Sequence, residues 1–334
     1  MEQKVSMNMT IIVNDLHPCY VIQDSKYMLT NSPSIICVFL YALLALLSVI
    51  TICGNLLVII SVIYFKQLHT PTNSLILSLA VADLLIGIIA FPLSLAFSLS
   101  SCLYHEGLFC KVRGTFDISL STCSILNLCC ISIDRYHAVC QPLTYQTKIS
   151  YRVVVFMILM SWGVSGIIGI SVTIAGLNNE KYEESFLIDV LMESTVGPML
   201  SFYLPVIIML CIYLKIFFVA RRQARSIQNT TKCGQTASMM ERKATKTLAI
   251  VLGVFILCWS PFFLCITFPP FTSDYQYQLQ VPVPVIETLN WLTLANSMLN
   301  PFIYAFFYSW FRSAIRMIIC GKIFQGDFAN TKLT

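Results

Sequence analysis

The sequence predicts an all-α membrane protein: seven transmembrane helices in a bundle, with a short amphipathic eighth helix on the inner face. Three observations lead there: a composition too apolar for a water-soluble globule, seven long apolar stretches, and basic residues gathered on one side of the resulting bundle. The 334 residues are 57% hydrophobic and 11% charged, with a mean hydropathy of +0.77. Soluble domains carry roughly a quarter of their residues as charges, so little polar sequence remains here to cover a water-facing surface. Disorder is excluded by the same numbers, since a disordered chain cannot leave so much apolar surface in water. The formal charge of +5 is not clustered on a soluble domain, which gives nucleic-acid binding no support.

Residues 1–33 are polar and mixed and read as an extracellular N-terminus, without the early apolar segment of a cleavable signal peptide. Spans follow at 34–64, 71–99, 107–140, 152–175, 194–222, 241–268 and 283–307, which together make the transmembrane domain 34–307. Each is long enough to cross a bilayer, which needs about 20 residues. Their apolar character is continuous rather than alternating, so helices are expected and not barrel strands. Lipid offers the backbone no hydrogen-bond partners, and a helix supplies its own. Pro205, Pro261 and Pro301 interrupt the i→i−4 ladder in three spans and mark bends. Residues 308–334 form a cytoplasmic helix and tail, in which apolar residues alternate around Arg312 and Arg316 at amphipathic spacing. Cys320 at the end of that helix is a candidate for acylation, or an ordinary cytoplasmic thiol.

Orientation comes from the basic residues. Of the 21 Lys and Arg, only Lys4, Lys26, Lys111, Arg113 and Lys181 fall on the N-terminal side of the bundle. The positive-inside rule therefore puts the N-terminus outside and the C-terminus in the cytoplasm of a multi-pass plasma-membrane protein. The Asn8 sequon then lies where glycosylation is possible. Many of the 14 cysteines sit within apolar runs and read as small buried side chains. No zinc-type spacing occurs, no organic cofactor is expected, and no nucleophile–base–orienter set points to an enzyme. A small-cation transporter would show repeated half-structures and broken midplane helices, and no internal repeat is present.

Two acids, Asp83 and Asp117, stand inside apolar spans, where a carboxylate needs a partner or a polar cavity. Asp117 and Arg135 lie about 27 Å apart along one helix at 1.5 Å per residue. One helix thus presents an acid near its outer mouth and an arginine at its cytosolic end, an arrangement suited to a relay: a cation at one end and a protein partner at the other. Glu241 opens the sixth span at the level of Arg135; a bridge between them could hold the two helices together, with ordinary interfacial charges as the other reading.

Gly54-Asn55, Leu79-Ala80-Val81-Ala82-Asp83, Asp134-Arg135-Tyr136, Trp162, Pro205, Cys258-Trp259-Ser260-Pro261 and Asn300-Pro301-Phe302-Ile303-Tyr304 stand in order along the spans. In these the chain resembles the rhodopsin-like (class A) G-protein-coupled receptors. In the stretch Phe65-Lys-Gln-Leu-His-Thr-Pro-Thr-Asn73, the Asp117 region and the stretch from Tyr304 to Arg312 it resembles, among them, the trace amine-associated receptors. The resemblance covers residues 54–324. It implies a chemosensory receptor for trace amines or diamines, acting in olfaction through a stimulatory heterotrimeric G protein and cyclic AMP. A receptor-like protein without a signalling response is the alternative.

By the same resemblance, Asp117 is the counter-ion of a protonated amine. Trp259, Phe262 and Phe263 are candidates for an aromatic wall, where a ring face adds roughly 0.5–2 kcal/mol for a cation. Trp291 is expected to close the site from above, on the face that also carries Glu287. Ser201 is the lone hydroxyl that the fifth span brings toward the site. Glu287 and Glu193 are candidates for the far end of a diamine, with rim acids that merely steer ligands as the other reading. The family's sodium site is implied at Asp83, Ser124, Asn296, Ser297 and Asn300, with Asn55 nearby. Asp134, Arg135, Tyr136, Tyr213, Glu241, Asn300, Pro301 and Tyr304 are the implied switch and coupling residues, Tyr213 and Tyr304 turning inward in the open form. Two departures stand out: Leu294 replaces a tyrosine common in the family, and the loop between spans four and five has no cysteine to meet Cys110. A disulfide among Cys19, Cys102 and Cys110 remains possible, its connectivity open.

Overall fold

The structure, a computed structural model, describes residues 20–23, 26–29, 35–99, 108–178, 197–227, 233–268, 283–307, 309–321, 330, 331 and 333. Two short strands come first, β1 (Tyr20–Gln23) and β2 (Lys26–Leu29). They pair antiparallel with Tyr20 opposite Leu29 and Gln23 opposite Lys26. This hairpin lies within the stretch the sequence reading treated as a polar terminus; Tyr20, Val21, Ile22 and Tyr27 supply its strand propensity.

The bundle is built from α1 (Ile35–Tyr64), α2 (71–99), α3 (Leu108–Cys140), α4 (Tyr151–Asn178), α5 (197–227), α6 (Cys233–Thr267) and α7 (Val283–Phe307). An eighth helix, α8 (Ser309–Ile319), follows. Among the described residues six helices are long and apolar enough by composition to cross a membrane. The seventh, α7, has the length but places Glu287, Asn290, Thr293, Asn296, Ser297 and Asn300 along its course. A helix this polar is tolerated in a membrane when its polar groups face other helices, and those at 287, 293, 296, 297 and 300 are buried.

Local sequence explains where α2 begins and why one of its turns is widened. Thr70 caps it by accepting a hydrogen bond from the Asn73 amide at 3.2 Å, and Pro71 takes the first helical position. Ile86–Ala90 is a π turn that leads into Pro92. In α5 the π turn Met199–Tyr203 leads into Pro205 in the same way. Proline has no N–H for the carbonyl four residues back, and a widened turn removes its clash with that carbonyl. Pro261 and Pro301 lie inside α6 and α7 as expected. Gly54 lets α1 and α7 approach, since a Cβ there would lie 3.0 Å from Pro301 Cγ.

The largest buried cluster joins Ile125 and Leu128 of α3, Phe202 and Met209 of α5, and Phe255, Trp259 and Phe263 of α6. A second unites Leu44, Ile86, Phe91, Leu120, Trp291 and Leu294. The Trp162 indole N–H ties α4 to α2 by donating to Ser78 Oγ at 3.0 Å. Along α8 the amphipathic reading holds: Phe311 and Ala314 are buried while Arg312 and Arg316 are exposed. Leu333 from the tail adds a contact that the sequence did not indicate. Its side chain is buried with Phe65, Leu68 and Ala314, and its N–H donates to Gln67 Oε1 at 2.8 Å.

Candidate functional site

Polar side chains gather at three levels of the bundle, and α3 contributes to each. At the first level Asp117 has Arg113 one turn before it on the same helix, with Arg113 Nε 3.3 Å from Asp117 Oδ2. The same guanidinium forks onto α7, where Nη1 and Nη2 donate to Glu287 Oε1 and Oε2 at 3.1 and 2.9 Å. Nη2 also donates to Ser94 Oγ of α2 at 3.2 Å. Arg113 is 7% exposed and Glu287 6%. A guanidinium fork matches a carboxylate in both direction and charge, so this is the strongest form of ion pair available to side chains. The Asn290 side chain faces the Asp117 carboxylate from α7. Asp117 Oδ1 is buried and has no hydrogen-bond partner among the described residues.

Arg113 was missed as a site residue. In the sequence it is one of the few basic residues on the outer side, although its i,i+4 spacing to Asp117 was a legible signal. Glu287 needs the corresponding correction. It is not a solvent-exposed rim acid, because α7 turns it into the bundle and Arg113 neutralises it there.

The aromatic candidates divide between two clusters. Trp259 and Phe263 stand in the deep one, where Phe263 stacks on Phe202 with centroids 4.2 Å apart. Phe262 meets Phe263 edge-on and is half-buried. Trp291 packs instead with Leu44, Phe91, Leu120 and Leu294, its ring 6.4 Å from that of Tyr41. The Ser201 hydroxyl donates to the Gly197 carbonyl of its own helix at 2.7 Å. A hydroxyl used this way follows the backbone of the π turn. Glu193 lies outside the described residues, as do Asn8, Cys19, Cys102 and the Cys110 side chain. Cys265 is a free thiol.

At the middle level Asp83 is fully buried. Its Oδ1 accepts from Ser124 Oγ at 3.0 Å and its Oδ2 from Asn300 Nδ2 at 2.7 Å. Ser297 is also beside it. Asn55 Nδ2 donates to the carbonyls of Thr51 and Ser297 at 2.9 and 3.2 Å. Asn55 Oδ1 and Asn296 Nδ2 are buried without hydrogen-bond partners among the described residues. Helices α1, α2, α3 and α7 therefore converge here. A carboxylate, hydroxyls and an unspent amide oxygen are hard donors, a set that fits a small hard cation such as sodium.

At the third level Arg135 donates to its neighbour Asp134 through Nε at 2.9 Å and to Thr72 Oγ1 of α2 through Nη2 at 2.6 Å. Asp134 is fully buried and also accepts from Thr72 Oγ1 at 3.0 Å and from the Tyr145 hydroxyl at 2.8 Å. Tyr145 belongs to the helical turn Tyr145–Lys148 between α3 and α4. Burial there pushes its phenol above the usual tyrosine range, with Thr72 acting in the opposite direction. The expected Arg135–Glu241 bridge lies outside the described residues, because α6 includes Glu241 but its side chain is not described. Tyr213 of α5 accepts from Ser132 Oγ at 2.8 Å. Tyr304 is buried with its ring edge-on to Phe311 of α8. Lys215 Nζ stands 5.2 Å from the centre of the Tyr136 ring.

The family model described as 7 transmembrane receptor (rhodopsin family) matches residues 54–304. The chain is 43% identical over 313 residues to trace amine-associated receptor 1 of Macaca mulatta, spanning 88% of this chain and 91% of that protein. Trace amine-associated receptor 1 of Mus musculus is 40% identical over 335 residues, with 95% and 99% covered. For trace amine-associated receptor 2 of Rattus norvegicus the identity is 42% over 308 residues, with 88% of each chain covered. A bundle of seven helices, a half-buried acid near one end of α3 and an Asp-Arg-Tyr sequence at the other accord with those matches. The chain belongs to the rhodopsin family of seven-transmembrane receptors and, within it, to the trace amine-associated receptors.

Proposed function

We propose that this receptor sits in the plasma membrane with its N-terminus outside and responds to small protonated amines, passing the signal to a stimulatory G protein and cyclic AMP. One observation carries the amine reading: Asp117 Oδ1 has no hydrogen-bond partner among the described residues while Oδ2 faces Arg113. An ammonium placed against Oδ1 gains a charge-assisted hydrogen bond in a setting where water competes poorly. Coupling is assigned to the opposite end of α3, where Arg135 is held by Asp134 and Thr72. Release of Arg135 in the active state shifts the population only if the amine binds that state more tightly. Sodium at Asp83 is part of the same proposal, its role being to offset a buried carboxylate in the resting state.

A second reading has a specific observation behind it. Asp117 already has a cation beside it, which suits a receptor-like protein that gives no amine response. The two separate in one experiment. Cells expressing wild type or Asp117→Asn at matched surface levels are screened with monoamines and diamines for cyclic AMP. A wild-type response lost in Asp117→Asn supports the amine reading. An equal response in both ends the role of Asp117, and silence of the wild type at normal surface expression favours the second reading.

A further inference from the structure

We propose that Arg113 sets the charge of the ligand, restricting this site to amines with a single positive charge. The inference rests on the reading of Asp117 given above. Among the described residues the cluster holds two carboxylates, Asp117 and Glu287, and one guanidinium, which leaves a formal charge of −1. Both oxygens of Glu287 are engaged by Arg113 at 3.1 and 2.9 Å. The acceptor left over is Asp117 Oδ1. One ammonium at that oxygen brings the cluster to neutrality. Among the described residues the second ammonium of a diamine finds no free carboxylate here and would have to displace a guanidinium that is 7% exposed and also bonded to Ser94. In a medium of low dielectric an unmatched charge is strongly disfavoured. Glu287 therefore acts through Arg113: it draws the guanidinium fork toward α7 and leaves Asp117 with a charge to offer.

The proposal predicts that ligand valence follows the formal charge of the cluster. Wild type, at −1, prefers a monoamine. Arg113→Gln, at −2, gains potency for 1,5-diaminopentane relative to pentylamine by at least tenfold. Glu287→Gln, at 0, loses monoamine potency by at least tenfold although Glu287 touches no ligand. The double variant returns to −1 and to the monoamine preference. Dose–response curves for both amines in the four receptors, at matched surface expression, test this. A purely structural staple between α3 and α7 would lower both potencies together and leave their ratio unchanged, and that outcome overturns the proposal. So does a double variant that keeps the diamine gain. If Arg113→Gln does not reach the surface, the comparison of Glu287→Gln with the double variant decides: recovery of the monoamine response supports the charge rule, and its absence refutes it. Failure here is distinct from failure of the amine reading. A wild type that answers pentylamine through Asp117, with a ratio unmoved in Arg113→Gln, sinks this inference alone, whereas a wild type silent to every amine removes both.

Discussion

At Gly169, α4 packs tightly against the helix that carries Asp117, and its substitution has a calculable effect. A Cβ at 169 would lie 1.8 Å from Ser119 Oγ, 3.1 Å from Ser119 Cβ and 3.0 Å from the Thr115 carbonyl oxygen. Thr115 and Ser119 flank Asp117 on α3, and the Thr115 and Thr173 hydroxyls hydrogen-bond across the same interface. Rotation of Ser119 relieves the first clash. The other two involve atoms fixed to the helix, so α3 and α4 must separate by a few tenths of an ångström. Overpacking of this kind costs about 1–3 kcal/mol. Against it stands the intrinsic gain of alanine over glycine in a helix, about 1 kcal/mol. Gly166 isolates that gain, because a Cβ there meets nothing within 4 Å. Gly169→Ala should therefore unfold at a lower temperature than Gly166→Ala. With about 2–4 °C per kcal/mol, the gap is about 2–12 °C for purified receptor in detergent. Adding Ser119→Ala to Gly169→Ala removes only the hydroxyl, so the double variant should keep most of the loss, from the Cβ at 119 and the Thr115 carbonyl. A Gly169→Ala receptor at least as stable as Gly166→Ala would refute the close approach.

Tyr145→Phe removes one donor to the Asp134 carboxylate while Thr72 and Arg135 remain. A hydrogen bond to a charged group is worth about 1.5–3 kcal/mol, so under the stimulatory coupling proposed above ligand-free cyclic AMP should rise, and basal signalling equal to wild type at matched expression would count against a restraining role. Because burial raises the phenol above its usual range, the hydroxyl keeps its proton as pH rises through the physiological range. The restraint should therefore be insensitive to pH there, which basal signal measured in buffers of different pH would check. For the middle site, sodium chloride should raise the unfolding temperature of wild type above that in choline chloride, and Asp83→Asn should abolish the difference. An equal salt effect in both proteins would remove sodium from the account of Asp83, whose Oδ1 and Oδ2 are held by Ser124 and Asn300.

Much of this molecule was legible from local rules. Apolar runs of bilayer length require helices because lipid leaves backbone groups no other partners. The alternation around Arg312 and Arg316 placed α8, and Pro261 and Pro301 lie inside helices as read. Composition read along the chain also singled out Asp83 and Asp117, since a charge inside an apolar run is visible without knowing what it faces. What it faces is another matter. The pairing of Arg113 with Glu287 joins residues 174 positions apart, and the bond from Asn300 to Asp83 spans 217. Leu333 reaches back across 266 positions to Gln67. Such contacts depend on how helices rotate and lean against one another, and no periodicity within one segment encodes that. Trp291 and Glu287 share a helical face by spacing, yet one turned toward Leu44 and Phe91 and the other toward Arg113. The sequence by itself determined the helices and which charges had to be satisfied inside the membrane. Tertiary packing decided which groups on other helices complete them, Glu287 for Arg113 and Ser124 and Asn300 for Asp83, because a buried charge takes as its partner whatever opposite charge or hydrogen-bond donor the neighbouring helices bring within about 3 Å.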